Sequence, residues 1–326
     1  MTSRFSIYAC TALVLAIVSL PSSVTQSRPA EEETSPLRIV SSFVWVPARV
    51  SSKTGEALSH VDVSRLELLD NGHPEKLTQL DTEGLPVSLA ILMQTGGSAR
   101  RFLSSYANLP WLIGQLVGDS IHEITFVTFD SHVEQIWHSP TRTDGATYAM
   151  THQAPGDDGA AIKDAIAFGV QQLEGEPGRF RRVVILLSQE SDEGSSTSSR
   201  SLLEQLGDST TVIYSLTIPS GTKPMPLHQE KSTDSIERFA ERTEQALSGQ
   251  TAAEAANLTG GSNHRFDDQS SLNSEMLATL SEYRNEIILG FQPSRHDPGL
   301  HRIEVREGSS KLKMIARRAY WSAVTK

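Results

Sequence analysis

The segment Val87-Ser-Leu-Ala-Ile-Leu-Met-Gln-Thr-Gly-Gly-Ser98 decides the fold. Its first seven residues are an almost unbroken apolar run, typical of a parallel strand that is covered on both faces. The two glycines then turn the chain, and helical spacing follows from Ala99 to Val117. Ligand sites in such folds lie beyond the carboxyl ends of the central strands. We therefore expect the loop that begins at Gln94 to belong to a binding site.

Strand and helix patterns alternate through the rest of residues 85–284, which predicts a doubly wound, mostly parallel sheet. The further predicted strands are Glu123–Phe129, Arg182–Leu187, Thr211–Ile218 and an edge strand at His264–Phe266, and the helices are Gly159–Leu173, Ser199–Leu206, Thr251–Leu258 and Ser270–Tyr283. The stretch 219–250 is rich in Pro, Ser and Glu and is interpreted as a surface insertion. Within it, Ser235–Leu247 has the composition of an exposed helix.

Both ends of the chain have strand patterns instead. In residues 37–84, apolar and aromatic residues alternate from Arg38 to Val50, and Asp70-Asn-Gly72 is a strong hairpin signal after which Leu77–Leu80 can pair back. Residues 285–322 contain three further strand-like runs, which are too short to form a stable sheet alone. We therefore expect the two ends to form one split β-sandwich into which the α/β domain is inserted.

The N-terminal residues have the order of a secretory signal peptide. Arg4 precedes an apolar run, Ile7–Leu20, that Pro21 breaks, so residues 1–26 are predicted to be the signal and residues 27–36 a flexible polar leader. An uncleaved anchor is the alternative. Cleavage predicts a secreted, periplasmic or cell-envelope protein without a stable membrane span. It would also remove Cys10, the single cysteine, and with it any thiol chemistry.

The charge balance bears on the partner. The chain has 29 Lys and Arg residues against 39 Asp and Glu residues, a formal net charge of −10. An acidic surface disfavours phosphate backbones, so we expect no nucleic-acid partner.

Eight segments stand in a characteristic order along the chain: Phe43–Pro47, Leu69–Gly72, Leu85–Leu92, Val127–Asp130, Arg182–Ser188, Leu258–Gly261, Tyr283–Phe291 and Arg317–Trp321. Their order resembles that of a von Willebrand factor A (vWA) domain. More narrowly, it resembles the secreted vWA-related family first described from acidobacteria. The resemblance covers nearly all of the chain after the predicted signal.

The resemblance implies a metal-ion-dependent adhesion site, in which three loops hold Mg²⁺ through Asp-x-Ser-x-Ser, a Thr and a second Asp. At these positions the present chain has Gln94, Gly96 and Ser98 in the first loop, Ala160 in the second and Gln189 in the third. Mg²⁺ prefers hard oxygen ligands, and both carboxylates are replaced by uncharged amides. We therefore expect the adhesion surface to be kept, its metal site to be degenerate, and no cofactor to be bound.

Acidic residues near these loops leave an alternative open. Asp157, Asp158, Glu190, Asp192 and Glu193 would be able to build a displaced site for Mg²⁺ or Ca²⁺. The interpretation that we favour is that they are solvated loop acids.

Other chemistry is weakly indicated. No P-loop, Gly-x-Ser-x-Gly or His-Glu-x-x-His pattern is present, and the ten histidines are dispersed. His132 and His138 flank a predicted hairpin and are interpreted as exposed polar residues. The leading hypothesis is a secreted, non-enzymatic protein-interaction module of adhesion type. The alternatives are a structural envelope protein with an inert loop face, a vWA domain with a rebuilt cation site, and an enzyme of unknown class.

Overall fold

The fold is taken from a computed structural model that describes residues 43–322 except 53, 55–57, 59–60, 82–83, 118–120, 140–143, 176–179, 220–234 and 309–311. The predicted signal peptide and leader lie outside the described residues. Residues 41–326 pack as one compact unit. Among the described helices, none is long and apolar enough to cross a membrane.

Strands and helices alternate through the middle of the chain, with strands alone near both ends. The described strands are β1 (Val44–Ser52), β2 (Leu66–Asp70), β3 (His73–Glu75), β4 (Leu77–Leu80), β5 (Val87–Gln94), β6 (Ile121–Phe129), β7 (Val133–Ser139), β8 (Arg181–Gln189), β9 (Val212–Ile218), β10 (Asn263–Arg265), β11 (Ile287–Phe291), β12 (Gly299–Glu307), β13 (Leu312–Ala316) and β14 (Ala319–Ser322). The α-helices are α1 (Leu109–Val117), α2 (Asp144–Thr151), α3 (Ile162–Glu174), α4 (Ser199–Asp208), α5 (Ile236–Gly249), α6 (Thr251–Thr259) and α7 (Gln269–Arg284), and 3₁₀ turns span Val63–Arg65 and Gly97–Asn108.

The central sheet has six strands in the order β10-β9-β8-β5-β6-β7. All neighbours are parallel except β7, which pairs antiparallel with β6. The middle strand β5 is buried along its whole length because helices cover both faces. Its Leu89, Ile91 and Met93 belong to one core layer, and Ala90 and Leu92 belong to the other. The predicted class, α/β with a mostly parallel sheet, is confirmed.

Two four-stranded antiparallel sheets, β13-β1-β11-β4 and β14-β12-β2-β3, combine strands from both ends of the chain. A third core cluster joins them, with Val46 and Leu289 from one sheet and Leu68 and Ile303 from the other. The predicted split sandwich is therefore present. Pairing strands from opposite chain ends lets each sheet bury a full apolar face that neither end supplies alone.

The prediction that Leu77–Leu80 pairs back across the Asp70-Asn-Gly72 turn was wrong. The turn forms, with Asn71 at φ 48° and Gly72 at φ 83°, but it pairs β2 with β3 rather than with Leu77–Leu80. Those residues form β4, which pairs with β11 in the opposite sheet. Only three residues of β3 therefore follow the turn before the chain passes to the other layer.

The helix predicted within 219–250 forms, but the prediction that it is exposed was wrong, because one of its faces is buried. Residues 220–234 lie outside the described part, but α5 buries Phe239, Thr243 and Leu247 along one stripe. These side chains join the core layer formed with α3, α4 and α6. The charged residues of α5 lie on its other face, so its composition disguised an amphipathic helix.

Candidate functional site

The candidate site lies where three parallel strands end. β5 ends at Gln94, β6 ends at Phe129 and β8 ends at Gln189. Since the carboxyl ends of adjacent parallel strands meet at one sheet edge, the loops that follow are neighbours. The segment 156–161, which leads into α3, joins them through a hydrogen bond from Gly156 N to Thr95 O.

Two buried glutamines connect the first and third loops. The Nε2 atom of Gln94 donates to Gln189 Oε1 at 3.2 Å and to Gly96 O at 3.0 Å. The Oε1 atom of Gln94 accepts from the backbone N of Gln189 at 2.7 Å. The exposed fractions of the two residues are 0% and 5%. The side chain of Gln94 therefore bonds both to the side chain and to the backbone of Gln189, and it joins the ends of β5 and β8.

Ser98 completes this network. Its Oγ donates to Gln189 Oε1 at 3.0 Å, and Gln189 Nε2 donates to Ser191 O at 3.0 Å. The side-chain oxygen Oε1 of Gln189 thus accepts two hydrogen bonds, one from Gln94 and one from Ser98, and these use both of its lone pairs. The side-chain oxygens at three of the adhesion-site positions are therefore engaged within the protein.

Gly96 lies where the resemblance would place a serine. A Cβ atom at this position would come within 2.6 Å of Asp157 O, Gly159 O and Asp130 Cβ, closer than real Cβ contacts. Gly97 N also donates to Asp157 O at 2.8 Å. The second loop therefore packs directly on the backbone of the first, in the space that a ligating hydroxyl would need.

Ala160 ties the second loop to the third. It is fully buried, its N donates to Glu193 O at 3.0 Å, and Glu193 N donates to Ala160 O at 2.8 Å. Because both bonds are made by backbone atoms, an alanine side chain is sufficient here. Four of the five adhesion-site positions, Gln94, Gly96, Ser98 and Gln189, are thus joined by hydrogen bonds at one sheet edge, and Ala160 is joined to the third loop through Glu193.

The loop acids named as a displaced cation site do not converge. Asp158 pairs with Arg100 at 2.8 Å and Glu190 pairs with Arg265 at 2.7 Å. Asp192 accepts from Lys163 N at 2.9 Å and lies 3.4 Å from Lys163 Nζ. Each of these carboxylates has its own cation, which satisfies its charge locally.

Asp157 belongs to a different group, with Asp130 and His132. Ligand atoms of the three residues lie within 4.8 Å of one another, a combination that the sequence pattern did not indicate. The side-chain hydrogen bond from Ser131, together with bonds from the N atoms of Gly159 and Ser131, lowers the pKa of Asp157. Asp130 in turn accepts from the N atoms of His132 and Asp157, so hydrogen bonds hold the three residues in one turn. The position of Asp130 directly after β6 was the available signal.

Asp164 lies in the first turn of α3. Its carboxylate accepts from Ser196 N at 2.9 Å and from Thr197 N at 2.7 Å. It therefore fixes the third loop where that loop approaches α4.

Several solved structures are similar to this chain. A von Willebrand factor type A protein from Catenulispora acidiphila is 9% identical with a TM-score of 0.47, and the match covers 86% of this chain and 62% of that one. An aerotolerance-related membrane protein from Bacteroides fragilis NCTC 9343 is 15% identical with a TM-score of 0.41, over 61% and 98% of the two chains. Proximal thread matrix protein 1 from the mussel byssus, with a zinc-occupied MIDAS motif, is 13% identical with a TM-score of 0.43, over 66% and 49%.

No protein-family model matches the sequence, and no curated protein matches it.

Proposed function

We propose that this protein is a secreted, non-enzymatic protein-interaction module of adhesion type, whose loop face binds a protein partner without a metal ion. One observation carries the proposal. The first and third loops are held together by hydrogen bonds among Gln94, Ser98 and Gln189. None of these three residues has a carboxylate, although the resemblance would place one at positions 94 and 189. Secretion is supported by the N-terminal sequence alone.

The network supports binding because it fixes the loops before a partner arrives. Ordering loops on association costs free energy, and a preorganised surface lowers that cost. The loops present backbone groups together with the exposed side chains of Asp157, Asp158 and Glu193. Backbone groups and these carboxylates would replace the metal bridge through which an adhesion site of the vWA type meets its partner.

The metal-free part of the proposal is tested by calorimetric titration of the full chain with Mg²⁺, Mn²⁺ and Ca²⁺. We expect no saturable heat with any of the three ions. Saturable binding that Asp157→Asn abolishes would favour the rebuilt cation site at Asp130, His132 and Asp157 instead. Asp62→Asn is the matched control, since Asp62 also accepts hydrogen bonds from a neighbouring serine but lies in the sandwich.

The loop-face part is tested by capture of extracellular or cell-surface proteins with immobilised protein, in the presence and absence of EDTA. We expect a partner that survives EDTA and is lost from the double variant Asp158→Ala, Glu193→Ala. Glu241→Ala on α5 is the control, because it is also an exposed acid but lies away from the loops. Equal capture by all variants would move the interaction to another surface or favour an inert loop face.

A further inference from the structure

A buried histidine occupies one end of the sandwich core. His301, on β12, is 2% exposed and lies between Asp70 on β2 and Tyr320 on β14, which are 3% and 5% exposed. Its Nδ1 atom is 2.8 Å from Asp70 Oδ1, and its Nε2 atom is 2.7 Å from the carbonyl oxygen of Asp297. Both ring nitrogens therefore face oxygen acceptors.

The hydrogen-bond inventory of this cluster fixes the charge of the ring. A neutral imidazole has one N–H, whereas two acceptors in line with the two nitrogens require two. With both nitrogens protonated, Nδ1–H donates to Asp70 Oδ1 and Nε2–H donates to Asp297 O. The Tyr320 hydroxyl then donates to Asp70 Oδ2 at 2.8 Å. Every polar atom of the group is satisfied, and the imidazolium neutralises the carboxylate.

A neutral ring satisfies these groups less well. The Tyr320 hydroxyl lies 3.0 Å from Nδ1 and would be able to donate there instead. The buried Asp70 carboxylate would then lose that donor and face the lone pair of Nδ1 at 2.8 Å. An unsatisfied charged group in a buried position is strongly unfavourable, so a neutral ring keeps its one proton on Nδ1, facing Asp70. The bond that is lost is then the one from Nε2 to Asp297 O.

Asp297, whose carbonyl oxygen faces His301, lies in the segment that crosses from one sheet of the sandwich to the other. Residues 292–298 connect β11, in one sheet of the sandwich, to β12, in the other. The same crossover is held at Ser294, whose N and Oγ atoms donate to Glu75 Oε1 at 3.1 and 2.5 Å. His301 is therefore a second anchor that ties the crossover to the core of the sandwich.

We propose that His301 is a protonation-controlled clamp, which holds the crossover 292–298 in place while the ring is charged and releases it when the ring loses its proton. The titratable groups that face the ring are Asp70 on β2, Asp297 on the crossover and Tyr320 on β14, and Glu75 on β3 acts on Tyr320. The order of this end of the sandwich would thereby depend on the external pH.

The direction of the pH dependence follows from the contacts. Burial is the largest influence and lowers the pKa of His301, but the bonds to Asp70 and Asp297 together outweigh it, and the net pKa is raised above 6.5. The stabilisation by a group of this kind is complete below its ordinary pKa and is lost as the pH rises through its raised folded value. Alkaline conditions therefore open the clamp.

The clamp is tested by nitrogen-15 NMR of the full chain with labelled histidine, titrated from pH 5 to pH 10. The resonances of His301 are assigned by their absence in His301→Gln. At pH 6 we expect both ring nitrogens of His301 to be protonated. A neutral His301 ring at pH 6 would overturn the proposal.

Hydrogen exchange gives the second readout. Protection factors in residues 292–300, corrected for intrinsic exchange, should fall at least tenfold as His301 deprotonates, while those of β8 remain unchanged. His301→Gln should show the low protection at every pH, and His296→Gln should behave like the wild type. Unchanged protection across the titration would show that the ring does not hold the crossover.

Discussion

At the residue scale, the contact between Gln94 and Gln189 depends on their being amides. Two carboxylates at this separation would repel each other, and without a cation one of them would have to take up a proton. The Gln94 amide instead donates to Gln189 Oε1 at 3.2 Å and accepts from the backbone N of Gln189 at 2.7 Å. The two positions therefore depend on each other, because the Gln94 amide supplies a donor to the Gln189 side chain and an acceptor to the Gln189 backbone.

Gln94→Glu tests this interpretation. The introduced carboxylate would face Gln189 Oε1 with an acceptor instead of a donor, in a fully buried position, so the pKa of the new carboxyl should be raised. An acid with a raised folded pKa destabilises the fold as the pH rises above its unfolded value, by up to about 1.4 kcal/mol per pH unit. Urea unfolding at pH 4.5, 6 and 7.5 should show a deficit that grows with pH.

The matched control is Gln135→Glu, on the exposed surface of β7 in the same sheet. It should show no such slope. A deficit in Gln94→Glu that is constant with pH would mean that lost packing, and not a buried charge, causes it.

Gly96→Ser tests whether the second loop is tightly packed against the backbone of the first loop. Serine is the residue of an intact adhesion site, but its Cβ would lie 2.6 Å from two backbone oxygens of the second loop. Overpacking of this kind costs about 1–3 kcal/mol, so we expect a loss of that size in the free energy of unfolding. Gly114→Ser on α1, where no atom lies within 4 Å of the added Cβ, should be close to neutral. Equal stability of the two variants would show that the second loop moves aside freely.

The sequence predicted part of this site for a physical reason. Parallel strands bring their carboxyl ends together, so the neighbourhood of Gln94 and Gln189 follows from chain order. The grouping of Asp130 and His132 with Asp157 did not follow, because it depends on how closely a later loop packs on Gly96. Backbone approaches of this kind leave no periodic pattern in the sequence.

At the element scale, α5 shows how composition can hide a core helix. Its charged residues suggested exposure, and Thr243 interrupts the apolar stripe between Phe239 and Leu247. Thr243 nevertheless remains buried because its hydroxyl donates to Phe239 O at 2.9 Å within the helix. Strands β5, β8 and β9 were predictable because short apolar runs between turn signals are typical of buried strands, whereas a helix with one buried stripe is ambiguous.

Phe239→Ala measures the contribution of this helix. Phe239 is 2% exposed, and the guanidinium groups of Arg302 and Arg318 lie 5.8 and 5.7 Å from its ring centre. Removing a buried phenylalanine costs about 3–5 kcal/mol, and equilibrium urea unfolding should show a loss in that range. Glu241→Ala on the exposed face of α5 should change stability by less than about 0.5 kcal/mol. If both variants lose less than about 0.5 kcal/mol in free energy of unfolding, α5 is instead a peripheral insertion that contributes little to the core.

At the scale of the whole molecule, buried arginines join the sandwich to the α/β layer. Arg317, between β13 and β14, donates to the carbonyl oxygens of Leu206, Gly207 and Ser209 at the end of α4. Arg49 on β1 donates to Gly261 O at 2.7 Å and to Glu282 on α7 at 2.5 Å. The sandwich therefore holds the end of a helix on each side of the central sheet.

Arg317→Met tests whether this joint makes the molecule cooperative. The variant leaves carbonyl groups of α4 without their buried donor, at about 1–3 kcal/mol for each group that water does not reach. If residues 41–326 unfold as one unit, native-state hydrogen exchange should show the same loss in β1 of the sandwich and in β8 of the central sheet. Arg295→Met, on the exposed crossover, should leave both unchanged. A loss confined to the sandwich would mean that the central sheet is stable without it, because the bonds to α4 would then stabilise only the strands that carry Arg317.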